Sequence, residues 1–339
     1  MDGFSRRTVL AAMVATPAIA LEAPQRVKML LNSGWSGANA WFVLAEDRGY
    51  LRDEGIAMEF TAGRGAYTAA PRMFAEGHDI GYGDINSLTE LVAMHPGVAP
   101  VGVYMMFNAS PSGIVVAADG SIRTAKQLEG RRIAGHPTDV ALGTFPAFAK
   151  AVGVDAGKVR VVPSDAAMID LVKDLLAGRS DGVFGYFTTH TAAAMTAGLD
   201  PETLLRFLRF DAVLPDFYGS ALMASAAMVR DRPAVVAGFV RAMHRGVVDA
   251  IRDPDAAIAA VMQRDAKLDP RVERARLMGT LQREMAHPER QALGLGDVDD
   301  ARLGRSIAMM AGTKPLGRTP EVREVFVREF LPDKAIRLV

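Results

Sequence analysis

The chain has 339 residues, no cysteine, and a formal net charge of +0 from 39 basic and 39 acidic residues. The balanced charge argues against a nucleic-acid or anionic-lipid surface, because either would need a basic excess. Without cysteine, disulfides, thiolate metal sites and thiol nucleophiles are excluded. The length is sufficient for two lobes or domains.

The N-terminal segment has the pattern of a cleavable export signal. Arg6 and Arg7 precede a short apolar run that ends in small residues at Ala18 and Ala20. Such a run is shorter than the roughly 20 apolar residues that span a bilayer. Paired arginines are typical of the twin-arginine route, with a general secretory signal or an ordinary amphipathic helix as alternatives. We predict a signal over residues 1–20, cleaved near Ala20, and a periplasmic mature protein.

The first third of the chain predicts alternating strands and helices. Glycines stand where helix C-caps belong, at Gly49 and Gly77. The predicted strands are 27–31, 56–60, 80–82 and 98–107, and the predicted helices are 38–48, 66–76 and 88–94. Turn formers at 107–113 then predict a crossover into a second lobe.

The rest of the chain repeats this alternation and ends in helices. Predicted strands are 114–117, 132–134, 159–162, 183–185, 204–210 and a returning strand at 213–220. Predicted helices are 125–128, one that ends at 151, 166–176, 233–252, 256–263, 270–285, 298–311 and 320–330. The pattern predicts an α/β fold with mixed, mostly parallel sheets flanked by helices, whose ligands bind at the carboxyl ends of the strands.

Polar and aromatic residues are concentrated in the predicted strand-end loops. Arg64 lies between two glycines and could hold a carboxylate or sulfonate through two hydrogen bonds, or be a solvated loop residue. Aromatic residues at strand ends could form walls around a planar or amphipathic ligand: Trp35, Tyr82, Tyr186, Phe187 and Tyr218. Trp41, in the middle of a helix, is expected in the core.

Catalytic and metal-binding patterns are missing from the sequence. Asp84 precedes a predicted helix, where N-capping explains it, and no partner for acid–base catalysis is evident. The six histidines include no HxxxH pair, so we expect no metal and no cofactor. His136 and His190 lie on predicted cleft loops, where each could contact a ligand or be a satisfied surface imidazole.

Six segments, in order along the chain, resemble the periplasmic solute-binding proteins of ABC transporters for nitrate, sulfonate, taurine and thiamine-pyrimidine precursors. This group is the NMT1/THI5-like family. The segments are 40–60, 74–88, 121–140, 148–162, 171–187 and 216–258. The resemblance implies a type II periplasmic binding protein fold with a ligand cleft between two lobes. It also implies one lobe of residues 24–110 plus 218–339 and another of 111–217.

The resemblance places ligand-binding residues in seven loops. Carried over position by position, they are Trp35, Ser36, Asn39, Arg64, Tyr82, Gly83, Asp84, Ser87, Ser112, Thr138, Asp139, Tyr186, Phe187, Tyr218 and Gly219. The implied protein is a monomeric, non-enzymatic receptor that captures a small organic solute, anionic or aromatic, and delivers it to a membrane permease. The alternatives are an enzyme on the same fold, such as one of pyrimidine-precursor biosynthesis, or a solute-sensing protein.

Overall fold

A computed structural model describes residues 23–339, so the predicted export signal over residues 1–20 lies outside the described residues. The strands in this part of the chain are β1 Gln25–Leu30, β2 Ile56–Thr61, β3 Ile80–Asp84, β4 Val101–Met105, β5 Ser112–Ala117, β6 Arg132–Gly135, β7 Arg160–Pro163, β8 Gly182–Tyr186, β9 Leu205–Arg209 and β10 Ser220–Ala224.

The α-helices of the same residues are α1 Ala40–Asp47, α2 Tyr50–Asp53, α3 Ala66–Glu76, α4 Ile85–Met94, α5 Val140–Ala151, α6 Met168–Leu176, α7 Phe187–Thr196, α8 Pro201–Leu204, α9 Ala226–Asp231, α10 Pro233–Arg252, α11 Pro254–Arg264, α12 Pro270–Gly279, α13 Glu289–Leu293, α14 Asp300–Ala311, α15 Val322–Val325 and α16 Lys334–Arg337. Short 3-10 turns occupy Gly37–Asn39, Ala125–Leu128 and Ala156–Lys158, and a π-helical turn, Thr280–Glu284, follows α12. Within residues 23–339, no helix combines the length and apolarity that a bilayer crossing requires.

The strands form two five-stranded sheets built on the same plan. The first has the order β2-β1-β3-β10-β4 and the second β7-β6-β8-β5-β9. In each sheet one strand, β10 or β5, runs antiparallel to both of its neighbours, and the other four run in one direction. The predicted α/β fold with mixed, mostly parallel sheets is therefore confirmed.

The returning strand predicted at 213–220 is wrong. The chain leaves β9 through turns, and the strand that follows is β10, which lies in the first sheet between β3 and β4. Pro215 has no backbone N–H to donate to a ladder, which disfavours a strand at that point. Apolar patterning alone does not show this, because Val213, Leu214 and Phe217 are apolar residues of types that strands also contain.

Helices cover both faces of the first sheet. Trp41 of α1 is fully buried with Phe239 of α10 against one face, as expected for a core residue. On the other face, Leu88 of α4 and Ile307 of α14 pack in a second cluster. Burying each such side chain contributes about 1.5–3 kcal/mol relative to leaving it exposed, and this burial holds the loops of the first lobe in place.

Two segments cross between the lobes, residues 106–111 and 210–219. The Arg302 guanidinium, on α14 of the first lobe, donates to the carbonyl of Asn108 in one crossover (2.6 Å) and to that of Phe217 in the other (3.2 Å). Arg302 therefore ties the two crossovers together. The lobe limits of 24–110 plus 218–339 and of 111–217 stay a prediction.

Candidate functional site

A cavity of ≈ 320 Å³ lies between the lobes, at the loops that follow the carboxyl ends of the strands. The first lobe contributes Asn32, Ser33, Ser36, Ala38, Arg64, Gly65, Ala66 and Phe107. The second lobe contributes His136, Thr138, Asp139, Val140, Met168, Tyr186, Thr188 and Thr189. The C-terminal segment adds Arg276 and Glu284. A molecule held here would touch both lobes.

Four helical segments begin at the wall of this cavity. Their N-cap residues are Ser36 for the 3-10 turn that leads into α1, Gly65 for α3, Asp139 for α5 and Tyr186 for α7. Each N-cap residue lines the cavity. Helix N-termini carry unpaired N–H groups and a partial positive charge, so four of them around one cavity favour an anionic or polar ligand.

Some of these N–H groups already have partners. The Asp139 carboxylate accepts a hydrogen bond from the Ala141 N–H of α5 (2.7 Å). The Gly37 N–H donates to the Glu273 carboxylate of α12 (2.7 Å). The latter contact joins the 3-10 turn before α1 to α12 in the C-terminal segment.

Arg64 is the exposed cation at the first-lobe rim of the cavity. The flanking glycines explain how the loop reaches this position: a side chain at Gly63 would lie 1.9 Å from the Leu31 carbonyl, and Gly65 has a φ of +114°, which favours glycine. In residues 23–339 no carboxylate pairs with the Arg64 guanidinium, which makes its donors free for a ligand.

Two cavity carboxyls have pKa values near neutrality. Burial raises the pKa of Asp139 to about 6, against hydrogen bonds from the α5 backbone that lower it. Burial likewise raises the pKa of Glu284 to about 7. The hydrogen bond that the Thr188 hydroxyl donates to its Oε1 (3.0 Å) lowers this pKa, but by less than burial raises it. In its protonated form either group can donate a hydrogen bond to an anion, and in its charged form either can accept one from a donor.

Tyr186 lines the cavity, and its hydroxyl is buried. Burial raises its pKa well above the ordinary value, and the nearby carboxylates of Asp84 and Asp139 raise it further. Within the described part of the chain the hydroxyl makes no hydrogen bond of normal geometry. A buried polar group without a partner costs free energy, so a ligand atom that pairs with Tyr186 would gain from it.

The predicted ligand-binding residues divide into two sets. Five of them line the cavity: Ser36, Arg64, Thr138, Asp139 and Tyr186. The others lie behind or beside its wall: Trp35, Asn39, Tyr82, Gly83, Asp84, Ser87, Ser112, Phe187, Tyr218 and Gly219. Ligand contact by any of them stays a prediction.

The aromatic residues outside the cavity have protein partners. Tyr82, in β3, is fully buried and packs edge-on against Trp41 and Phe42 in the core, because helices cover both faces of its sheet. The Tyr218 hydroxyl is hydrogen-bonded to the Glu289 carboxylate (3.0 Å). These rings shape the site from behind its wall.

Trp35 and Phe187 also pack on protein groups. The Trp35 ring lies edge-on to Phe60, with centroids 5.2 Å apart. Phe187 is buried, and the guanidinium groups of Arg209 and Arg283 lie over its ring. Cation–π contacts of this kind use the ring face that a ligand would otherwise meet.

The remaining polar and glycine positions support the loops. Asp84 caps α4, as expected, and accepts from the N–H groups of Asn86 (3.0 Å) and Ser87 (3.1 Å). The Asn39 amide donates to the Gly34 carbonyl (3.0 Å) and so closes the first loop. Such buried hydrogen bonds hold the loops in one arrangement.

The other four stand close to neighbouring strands or helices. The Ser87 hydroxyl donates to the Tyr67 carbonyl. Ser112 faces Tyr186 across the β5–β8 ladder. At Gly83 and Gly219 a side chain would collide with neighbouring residues, Ala69 and Phe107 respectively.

Arg276 and Glu284 are cavity residues that the sequence did not indicate. They lie in the predicted helix 270–285, which the structure divides into α12 and the π-helical turn Thr280–Glu284. A π-helical turn shifts the side chains that follow it and is frequent at functional sites. Nothing in the residue pattern marks this turn. Among the described residues, no cluster of three or more histidine or acidic side chains could hold a metal ion.

The fold is similar to several solved structures. The alkanesulfonate-binding protein SsuA from Xanthomonas axonopodis pv. citri, bound to MOPS, has a TM-score of 0.66 at 15% identity, with 91% of this chain and 98% of that chain covered. The periplasmic aliphatic sulphonate-binding protein SsuA from Escherichia coli has a TM-score of 0.64 at 15% identity, with 91% and 94% covered. A mutant of the desulfurization enzyme DszB with biphenyl-2-sulfinic acid has 0.64 at 16%, with 91% and 99% covered.

These low identities establish the fold alone, which is the predicted two-lobe periplasmic binding protein fold. A search of curated proteins found no match. The family model described as NMT1/THI5 like matches residues 38–257, more than half of the chain. The resemblance noted in the sequence is thereby confirmed, and the chain belongs to the NMT1/THI5-like family.

Proposed function

We propose that this protein is a solute-binding protein that captures a small organic molecule with an anionic group, of the sulfonate or carboxylate class, between its lobes. The observation that carries the proposal is the convergence on one cavity of the unpaired Arg64 and of two helix N-termini without a side-chain cap, those of α3 and α7. Backbone N–H groups and a guanidinium are strong anion ligands. Solved relatives with the same fold hold MOPS and a sulfinic acid, which are both sulfur oxyacids.

Capture would proceed by closure of the two lobes. The cavity residues come from both lobes, and the lobes are joined by two crossovers. A ligand that contacts both lobes stabilises the closed state over the open one by its differential affinity for the two. With the predicted export signal, this supports a periplasmic receptor that hands its solute to the permease of an ABC importer.

An enzyme on the same fold is the second candidate. Asp139 and Glu284 have pKa values of about 6 and about 7, and groups of that acidity suit proton transfer near neutral pH. DszB shows that a protein of this fold can be an enzyme. Thiol chemistry is excluded for this chain because it has no cysteine.

Titration of the purified protein with matched ligand pairs tests both candidates. Each alkane- or arenesulfonate is compared with the sulfonamide of the same skeleton, which has a similar shape and no charge. Calorimetry should show 1:1 binding of a sulfonate and much weaker binding of its sulfonamide, and mass spectrometry should recover the ligand unchanged. Equal binding of the two contradicts the anion site, and steady conversion of the ligand establishes the enzyme.

A further inference from the structure

Helices α3 and α5 belong to different lobes and touch beside the cavity. The contact joins the ring of Tyr67 to the backbone of Gly143: a side chain built on Gly143 would lie 2.5 Å from Cε2 and 2.7 Å from Cζ of that ring. Gly143 stands inside α5 and outside the left-handed φ region, so its conformation does not require glycine. Since glycine is a poor helix former, the close approach of the ring is the physical reason for it.

The Tyr67 ring is held in place by its own lobe. Its hydroxyl donates to both carboxylate oxygens of Glu90 (2.7 and 2.8 Å). The Lys314 ammonium pairs with the same carboxylate (2.6 Å) and also donates to the hydroxyl. Because these three side chains are only partly exposed and satisfy one another, the ring presents a rigid surface to the second lobe.

The same two helices begin at the cavity. The N-cap of α3, Gly65, approaches Thr138 so closely that a side chain on Gly65 would lie 3.0 Å from the Thr138 carbonyl oxygen. Both residues line the cavity, and Tyr67 and Gly143 follow them within about one helical turn. Farther along α5, the Lys150 ammonium reaches the Gly312 carbonyl of the first lobe (3.4 Å).

We propose that the Tyr67–Gly143 contact is a latch that holds the lobes together on this side of the cavity and sets the balance between closed and open conformations. The inference rests on the lobe closure in the proposed function. The Tyr67 ring on one lobe and the glycine-sized recess at Gly143 on the other fit together only when α3 and α5 are packed against each other. A methyl group in the recess forces the helices apart without touching the cavity.

Distance measurement between spin labels, without any ligand, tests the latch. The chain has no cysteine, so Ala75→Cys in α3 and Ala151→Cys at the end of α5, both exposed, place two nitroxides on opposite lobes. Gly143→Ala and Gly143→Val should shift the distance distribution to longer values in that order. Gly304→Ala is the matched control, since a side chain at Gly304 inside α14 would meet nothing closer than 3.7 Å.

Removal of the ring supplies a second variant. Tyr67→Ala should also shift the distribution to longer distances than in the wild type, because the contact that holds α3 and α5 together is lost. Circular dichroism establishes that each variant is folded. Distances that are the same in Gly143→Ala, Gly143→Val and Gly304→Ala would overturn the latch, as would a Tyr67→Ala variant with the distances of the wild type. Because no ligand is present, a failure to bind sulfonates would overturn the proposed function and leave this result unaffected.

Discussion

The Thr188 hydroxyl of the second lobe donates a hydrogen bond of 3.0 Å to the Glu284 carboxylate of the C-terminal segment, which packs on the first lobe. Both residues line the cavity. The pair thus joins the two lobes at the cavity. Any change in the charge of Glu284 acts on the cavity and on the interface between lobes at once.

Glu284→Gln should change how stability depends on pH. In the folded protein the pKa of Glu284 is raised from 4.5 to about 7, so between these values the folded state binds a proton that the unfolded state releases. Stability therefore falls as pH rises through this interval, by roughly 3 kcal/mol from this one group. The glutamine variant does not titrate, so it does not lose this stability. Its free energy of unfolding relative to the wild type should therefore rise by about this amount between pH 4.5 and pH 8.

Urea unfolding at pH 4.5, 6 and 8 measures the effect as a difference from the wild type. Asp84 and Asp139 also have raised pKa values. Their contributions to the pH dependence of stability are the same in both proteins and cancel in the difference. Glu329→Gln, at an exposed site, is the control and should show no such trend. A constant difference between Glu284→Gln and wild type across this range would contradict the raised pKa.

Arg64→Ala should weaken an anionic solute by about 1.5 kcal/mol, or roughly tenfold in Kd, because a charge-assisted hydrogen bond to the ligand is lost. The effect is set at the low end of the range because Arg64 is exposed. Calorimetric titration with the best sulfonate of the panel measures it. Arg160→Ala, on an exposed arginine of β7, is the matched control. Equal affinities in the two variants would mean that Arg64 is solvated and does not contact the ligand.

Tyr186→Phe and Tyr82→Phe remove the same atom from two tyrosines with buried hydroxyls and should differ in their effect on binding. Tyr186 lines the cavity, whereas Tyr82 lies in the core behind it. We expect Tyr186→Phe to weaken binding severalfold and Tyr82→Phe to leave it unchanged. Neither hydroxyl has a hydrogen bond of normal geometry among residues 23–339, so neither variant should lose much stability. A larger loss of affinity in Tyr82→Phe would mean that Tyr82 reaches the ligand.

Arg302→Met should be strongly destabilising, by about 3–5 kcal/mol, because it leaves a buried carboxylate without its partner. Arg302 is 6% exposed and pairs with Glu289 at 2.9 Å, besides binding the crossover carbonyls of Asn108 and Phe217. Arg305→Met, which breaks an exposed pair on the same helix, should have a much smaller effect. Urea unfolding compares the two, and similar losses would contradict a structural role for the buried arginine at the crossovers.

Local features of the fold were predictable from the sequence. The helices predicted at 66–76 and 233–252 have those same bounds in α3 and α10. Gly77 ends the first in the left-handed region, and Pro233 opens the second at a position where no N–H is needed. These signals depend on the conformation of a few neighbouring residues, so they can be read without knowing the tertiary structure.

The composition of the site was less predictable, for a physical reason. Tyr82 lies in the middle of β3 and Tyr186 at the end of β8, and whether such a ring faces the cavity depends on the face of the sheet to which it points and on the helices that pack there. Thr188 and Glu284 are 96 residues apart in the chain, and their hydrogen bond depends on a π-helical turn that has no signature in the residue pattern. Loops could be assigned to the cleft, whereas the direction of individual side chains within them could not.

The place of β10 in the first sheet has a consequence for the order in which the protein can fold. The strands of the second sheet all lie between residues 112 and 209, whereas the first sheet needs β10, at 220–224, between β3 and β4. During synthesis the second sheet can therefore be completed while the first still lacks its inner strand and the helices that cover it. The edge of β3 stays unpaired until more than a hundred further residues have been synthesised. During that time a chaperone or a misplaced strand could pair with this edge.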